Sequence, residues 1–121
     1  MATWVIVKDA KVQQYWRGLL ERPVSEQNAF ADAELILSEK PHPFHHPVGT
    51  IKHLKAGYHC NHEYRKLPNA QRIFYKIWTR QEITDAKKRK ESDVPVEPLW
   101  ESDEQKGVVI FIFAGPHPKT K

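Results

Sequence analysis

The first apolar run, Thr3–Val7 (Thr-Trp-Val-Ile-Val), is β-branched and aromatic and predicts a short strand. Asp9 then stands as a helix cap, and Val12, Tyr15, Trp16, Leu19 and Leu20 recur at helical spacing up to Arg22-Pro23. Ser25 is placed to cap a second helix with Ala29, Phe30, Ala33, Ile36 and Leu37 on its inner face, stopped by Pro41. Only a few residues separate the two, so they are expected to form an antiparallel hairpin.

The pattern changes after Pro41. Pro41-His-Pro-Phe-His-His-Pro47 reads as a non-helical surface loop. Thr50–Leu54 predicts a short strand and Ala56-Gly57 a turn. Tyr58–Leu67 and Gln71–Thr79 predict two more strands, joined at Pro68-Asn69-Ala70. Alternation in the latter sends Ile73, Tyr75 and Ile77 to one face, and Arg72, Phe74, Lys76 and Trp78 to the other. Residues 80–106, rich in charge and proline, read as an inserted excursion that is helical at its start and mobile beyond. Val108–Phe113 is apolar throughout, as expected of a strand covered on both faces and lying beside the first strand. The expected fold is α+β in a single domain over 1–121. Its two-helix hairpin packs on one face of a twisted, mostly antiparallel sheet of four or five strands.

Composition narrows the function classes. At 121 residues the chain is long enough for an ordinary core. The single cysteine, Cys60, excludes an internal disulfide framework and a cysteine-based zinc site. No apolar run approaches a membrane span and the N-terminus has no signal-peptide pattern, so a cytoplasmic, membrane-free protein is expected. The net charge is +4. Residues 80–106 carry six Lys/Arg and eight Asp/Glu, which leaves +6 on the rest. A basic body of this kind suits a polyanionic partner, nucleic acid first, though general solubility explains it too.

Candidate chemistry falls in two places. On the sheet face left open by the helices, His59, Asn61, Glu63 and Arg65 are expected to lie beside Arg72 and Lys76. Arginines there suit bidentate phosphate contacts and Glu63 proton transfer; a solvated face with scattered ion pairs has the same composition. At the C-terminus, His117 lies between Pro116 and Pro118 just past the apolar strand, where an imidazole can serve as acid or base or be an ordinary tail residue. His42, His45 and His46 lack the spacing and rigidity of a metal site, so neither metal nor cofactor is expected. Cys60 reads as a small buried hydrophobe, and Trp78 as a base-stacking or a core side chain.

With these residues in view, the chain resembles the RelE/ParE superfamily of toxins from bacterial type II toxin–antitoxin modules. The resemblance covers nearly everything outside 80–106. It lies in Ile51-Lys-His-Leu-Lys55 with Ala56-Gly57-Tyr58, in Gln71-Arg-Ile-Phe-Tyr75, and in Val108–Phe113 followed by Gly115 and a basic ending. It implies a RelE-like fold and, in the RelE-like branch, ribosome-dependent cleavage of mRNA by attack of a 2′-OH on the adjacent phosphate. On that reading Arg72, His117, Glu63 and Arg65 are catalytic. Arg72 holds the phosphate, His117 protonates the leaving oxygen and Glu63 is a base for the 2′-OH. Lys52, Lys55, Lys76 and Lys119 contact RNA. The implied partners are the ribosome, mRNA and a small, acidic cognate antitoxin. The alternatives are a ParE-like gyrase poison and a non-catalytic binding module on the same scaffold.

Overall fold

Asp9 ends the first strand and starts the first helix. Its Oδ1 accepts the Val12 N–H at 2.9 Å, filling one of the bonds a helix start leaves open. The computed structural model, which describes residues 3–53, 62–92 and 94–116, runs from strand β1 (Trp4–Lys8) into helix α1 (Ala10–Gly18). A 3-10 turn at Leu19–Glu21 leads to helix α2 (Val24–Glu39). Ser25 lies inside α2 rather than capping it. Pro23 takes the cap position, and its carbonyl accepts the Glu26 and Gln27 N–H groups.

Four strands and a third helix follow: β2 (Ile51–His53), β3 (His62–Tyr64), β4 (Gln71–Thr79), α3 (Arg80–Lys88) and β5 (Gly107–Pro116). They form one five-stranded sheet in the order β1-β5-β4-β3-β2. Only the β1–β5 pair is parallel. The architecture is α+β with a mixed, mostly antiparallel sheet. β3 is shorter than the expected Tyr58–Leu67: residues 58–61 and Leu54 lie outside the described residues, and Arg65–Leu67 leave the sheet before the Pro68 turn. The proline-rich loop contains one 3-10 turn, Pro43–His45. Pro41 is buried, with its carbonyl accepting the Tyr75 hydroxyl at 2.6 Å.

The alternation on β4 sorts two cores. On one face Ile73, Tyr75 and Ile77, with Val109 and Phe111 of β5, meet Val12, Leu19, Phe30, Ala33 and Leu37. Phe30, Ala33 and Leu37 set the buried stripe of α2. Ile36, expected inside, lies about 100° round the helix from Leu37 and is 36% exposed.

The opposite face is not left open along its whole length. Trp78 and Val108 are buried under Ile83 and Ala86 of α3, with Val94 and Trp100 packed around them. A reciprocal capping box starts this helix: Thr79 Oγ1 accepts the Glu82 N–H and Glu82 Oε1 accepts the Thr79 N–H. The charged insertion, expected to be helical at its start, is a helix followed by a strap whose Val94 and Trp100 pack on this second core. Both faces of β5 are covered over its first half, which accounts for its unbroken apolar sequence.

Two stability predictions follow from the packing. A Cβ on Gly107 would lie 2.0 Å from the Trp78 carbonyl oxygen, so Gly107→Ala must push β4 and β5 apart. Urea unfolding should show a loss on the order of 2–3 kcal/mol. His62 is buried in a stack with Tyr75, ring centroids 5.3 Å apart, and burial pulls its pKa from 6.5 to about 4. Between those values the unfolded chain binds a proton that the folded chain refuses. Stability is therefore complete above about pH 6.5 and falls progressively as pH drops to about 4. In thermal melts across that window, His62→Phe should show a shallower acid decline than the parent.

Candidate functional site

Arg72 opens β4 on the sheet face away from α1 and α2, with Gly115 as its partner on β5. Glu63 of β3 lies opposite Phe74 on the same face, and Lys52 of β2 lies opposite Glu63. Glu63 Oε1 accepts from Arg72 Nε at 3.1 Å and lies 3.7 Å from Arg65 Nε. Arg72 Nη1 also donates to the Gln71 carbonyl at 2.8 Å. The exposures rank their roles: the Glu63 side chain is 2% exposed, Arg72 17% and Arg65 41%. The guanidinium groups are the more exposed, and the carboxylate sits beneath them.

An apolar floor adjoins this cluster. Phe74 and Phe113 pack with ring centroids 5.3 Å apart, and Ile112 completes the group. The β-bulge at Phe74/Tyr75 brings both Ile112 and Phe113 of β5 to this point. Further along β4, Lys76 Nζ lies 4.3 Å from the Trp78 ring centroid. Trp78 itself is in the second core, so of its two readings packing is the one realised.

A polar network ties the head of β4 to the helices. Glu26 Oε1, buried in α2, accepts from Gln71 Nε2 at 2.7 Å and Asn69 Nδ2 at 3.0 Å, with Arg22 Nη1 at 3.4 Å. The Asn69 bond above all, then Gln71 and Arg22, keeps the Glu26 carboxyl below its ordinary pKa against the opposing effect of burial. Gln71 Oε1 in turn accepts the Tyr15 hydroxyl. Tyr15 also packs under Gly115, whose φ of +142° belongs to glycine and where a Cβ would come within 3.4 Å of the ring. The same network thus fixes both partners of the Arg72–Gly115 pair. Helical periodicity marks Tyr15 as core, and Glu26 carries no local signal of burial, so sequence reasoning missed both. Gln71 stood out only as the residue before Arg72.

Of the residues singled out from sequence, Arg72, Glu63 and Arg65 come together, with Lys52 and Lys76 on neighbouring positions. Lys55, His59, Cys60, Asn61, His117 and Lys119 lie outside the described residues. Of the loop histidines, His42 and His45 both pack on Phe44, and His46 Nε2 meets the Lys40 carbonyl at 2.6 Å. Among the described residues no three His, Cys, Asp or Glu side chains converge as a metal site. None of the described helices is long and apolar enough to cross a membrane. A cleft of about 660 Å³ lies between α1 and the end of β5, lined by Lys11, Tyr15, Arg22 and Phe113. It contains none of Arg72, Glu63 or Arg65. No protein-family model, curated protein or solved structure matches this chain.

Proposed function

We propose that the chain is a RelE-like toxin of a type II toxin–antitoxin module that cleaves mRNA on the ribosome. The supporting observation is the register of β4 and β5. It sets Arg72, already gathered with Arg65 over Glu63, opposite Gly115, only two residues before His117 in the chain. A phosphate clamp and an imidazole are the two parts that transesterification requires. The charge complementarity of a small acidic antitoxin for the basic body belongs to the same reading.

In the proposed reaction the 2′-oxygen attacks phosphorus and the P–O5′ bond breaks, leaving a 2′,3′-cyclic phosphate and a 5′-hydroxyl. His117 donates the proton that O5′ acquires, and Arg72 and Arg65 stabilise the charge gathering on the phosphoryl oxygens. The 2′-OH proton passes to solvent. Glu63, first read as its acceptor, is covered by two guanidinium groups, so its role here is to hold them. Lys52, Lys76, Lys55 and Lys119 add positive charge along the RNA path.

Expression in a bacterium with mapping of mRNA ends tests the reading. Cuts in register with codons are expected; DNA damage with altered supercoiling and intact mRNA would replace it with gyrase poisoning. His117→Gln should lower cleavage about 10²–10⁴-fold with little change in melting temperature. Arg72→Ala should cost about 10²–10³-fold. It should also lower stability, because it strips a partner from a buried carboxylate. Glu63→Gln separates the two roles of that residue. As a holder of arginines it should cost less than about 10-fold, whereas loss of a general base costs about 10²–10⁴.

A further inference from the structure

Residues 91–105 hold six acidic side chains and no lysine or arginine, directly after Lys87-Lys-Arg-Lys90. This acidic stretch folds back over the basic helix instead of leaving it. Glu97 is the junction: its Oε2 accepts from Lys87 Nζ at 2.7 Å and its Oε1 from Trp100 Nε1 at 2.8 Å. The Arg80 guanidinium lies 4.3 Å from the Trp100 ring centroid, and its Nη2 donates to the Ser102 carbonyl at 2.5 Å. Arg80 Nε is buried and has no hydrogen-bond partner among the described residues. A cationic side chain thus stands under the strap with an unfilled donor.

The strap is held by the packing of Val94 and Trp100 together with these few polar contacts. Residues 94–106 form no helix or strand, and Val96 and Leu99 are 85% and 94% exposed. The Lys87–Glu97 pair is open to water on both sides, and such pairs contribute little and are screened by salt. The strap also stands in line with the candidate site. On β4 the outward row runs Arg72, Phe74, Lys76 and Trp78, and Trp78 belongs to the cluster that Trp100 and Val94 cover. A polyanion bound at Arg72 and following this row meets the strap where Arg80 and Lys87 are occupied by its carbonyl and carboxylate groups.

We propose that residues 94–105 are an internal acidic cover that mimics a phosphate-bearing polymer, and that such a polymer displaces it to reach Arg80 and Lys87. Single-stranded RNA is the polymer if the function proposed above holds, and to that extent the inference rests on it. The cover lowers affinity for stray polyanions, because each must displace an intramolecular competitor present at high effective concentration.

The test uses the full chain, a fluorescent oligouridylate, and inorganic polyphosphate as a polymer without bases. Glu97→Gln loosens the junction while keeping every apolar contact; Trp100→Ala removes the anchor. Both variants should bind both polymers 3–10-fold more tightly than the parent, and saturating polyphosphate should speed hydrogen exchange of the 94–105 amides in the parent. Equal or weaker binding by Glu97→Gln, with exchange unchanged by polyphosphate, overturns the cover. Tighter polyphosphate binding and faster exchange, with no form binding the oligouridylate, supports the cover and overturns the RNA reading alone.

Discussion

The antiparallel pairing of β4 with β5 is the constraint on which the rest depends. It runs from Gln71–Pro116 to Thr79–Gly107, the longest ladder in the sheet, and it places both strands centrally. Every other element is fixed relative to this pair. β1 adds to β5 in parallel, β3 to β4, and the two cores form on its two faces. Fully burying side chains such as Tyr75, Phe111 and Ile73 contributes about 1.5–3 kcal/mol each, enough to hold the ladder in one register. That register aligns Arg72 with Gly115. A slip by one residue would turn Ile73 and Tyr75 outward, so the core that stabilises the fold also enforces the geometry of the site.

Glu63 shows how the site is held at that end. A buried carboxylate is costly unless paired, and here two arginines from different segments satisfy it. The desolvation cost is thereby turned into orientation: both guanidinium groups converge on one buried carboxylate oxygen. Glu26 plays the matching part on the helix side, where Gln71, Asn69 and Arg22 converge on one oxygen. Two buried carboxylates, one on each side of the sheet, bracket the first two residues of β4.

Much of the framework was legible in the sequence because it rests on periodicity. The alternation of β4, the helical spacing of α1 and α2, the Asp9 cap and the neighbour relation of β1 and β5 all survive in the structure. What failed depended on tertiary competition. Ser25 is a good cap in isolation, yet Pro23 lies two residues earlier and its carbonyl takes the bonds. The 80–106 stretch read as an excursion because its charge and proline content are high. Four of its apolar residues, Ile83, Ala86, Val94 and Trp100, nevertheless meet the one face that α1 and α2 leave uncovered, while Val96 and Leu99 stay exposed. For the site, residue types and strand faces were readable, but the burial of Glu63 was not. Its depth comes from cross-strand neighbours and from Arg65 and Arg72 closing over it, and alternation within its own strand carries none of that information.

The two ends of the outward face therefore differ in kind. At the Arg72 end an acid lies beneath and the cations lie above it, with Arg65 substantially exposed. At the Trp78 end the order is reversed: Arg80 lies beneath, and the acidic strap carrying Glu97 and Glu101 lies above. One arrangement presents positive charge to solvent and the other conceals it. Since both sit on the same strand, the length of the exposed basic surface is set by where α3 begins, and Thr79 fixes that point through its capping box with Glu82. The boundary between the open and the covered surface thus comes down to two reciprocal hydrogen bonds at the end of β4.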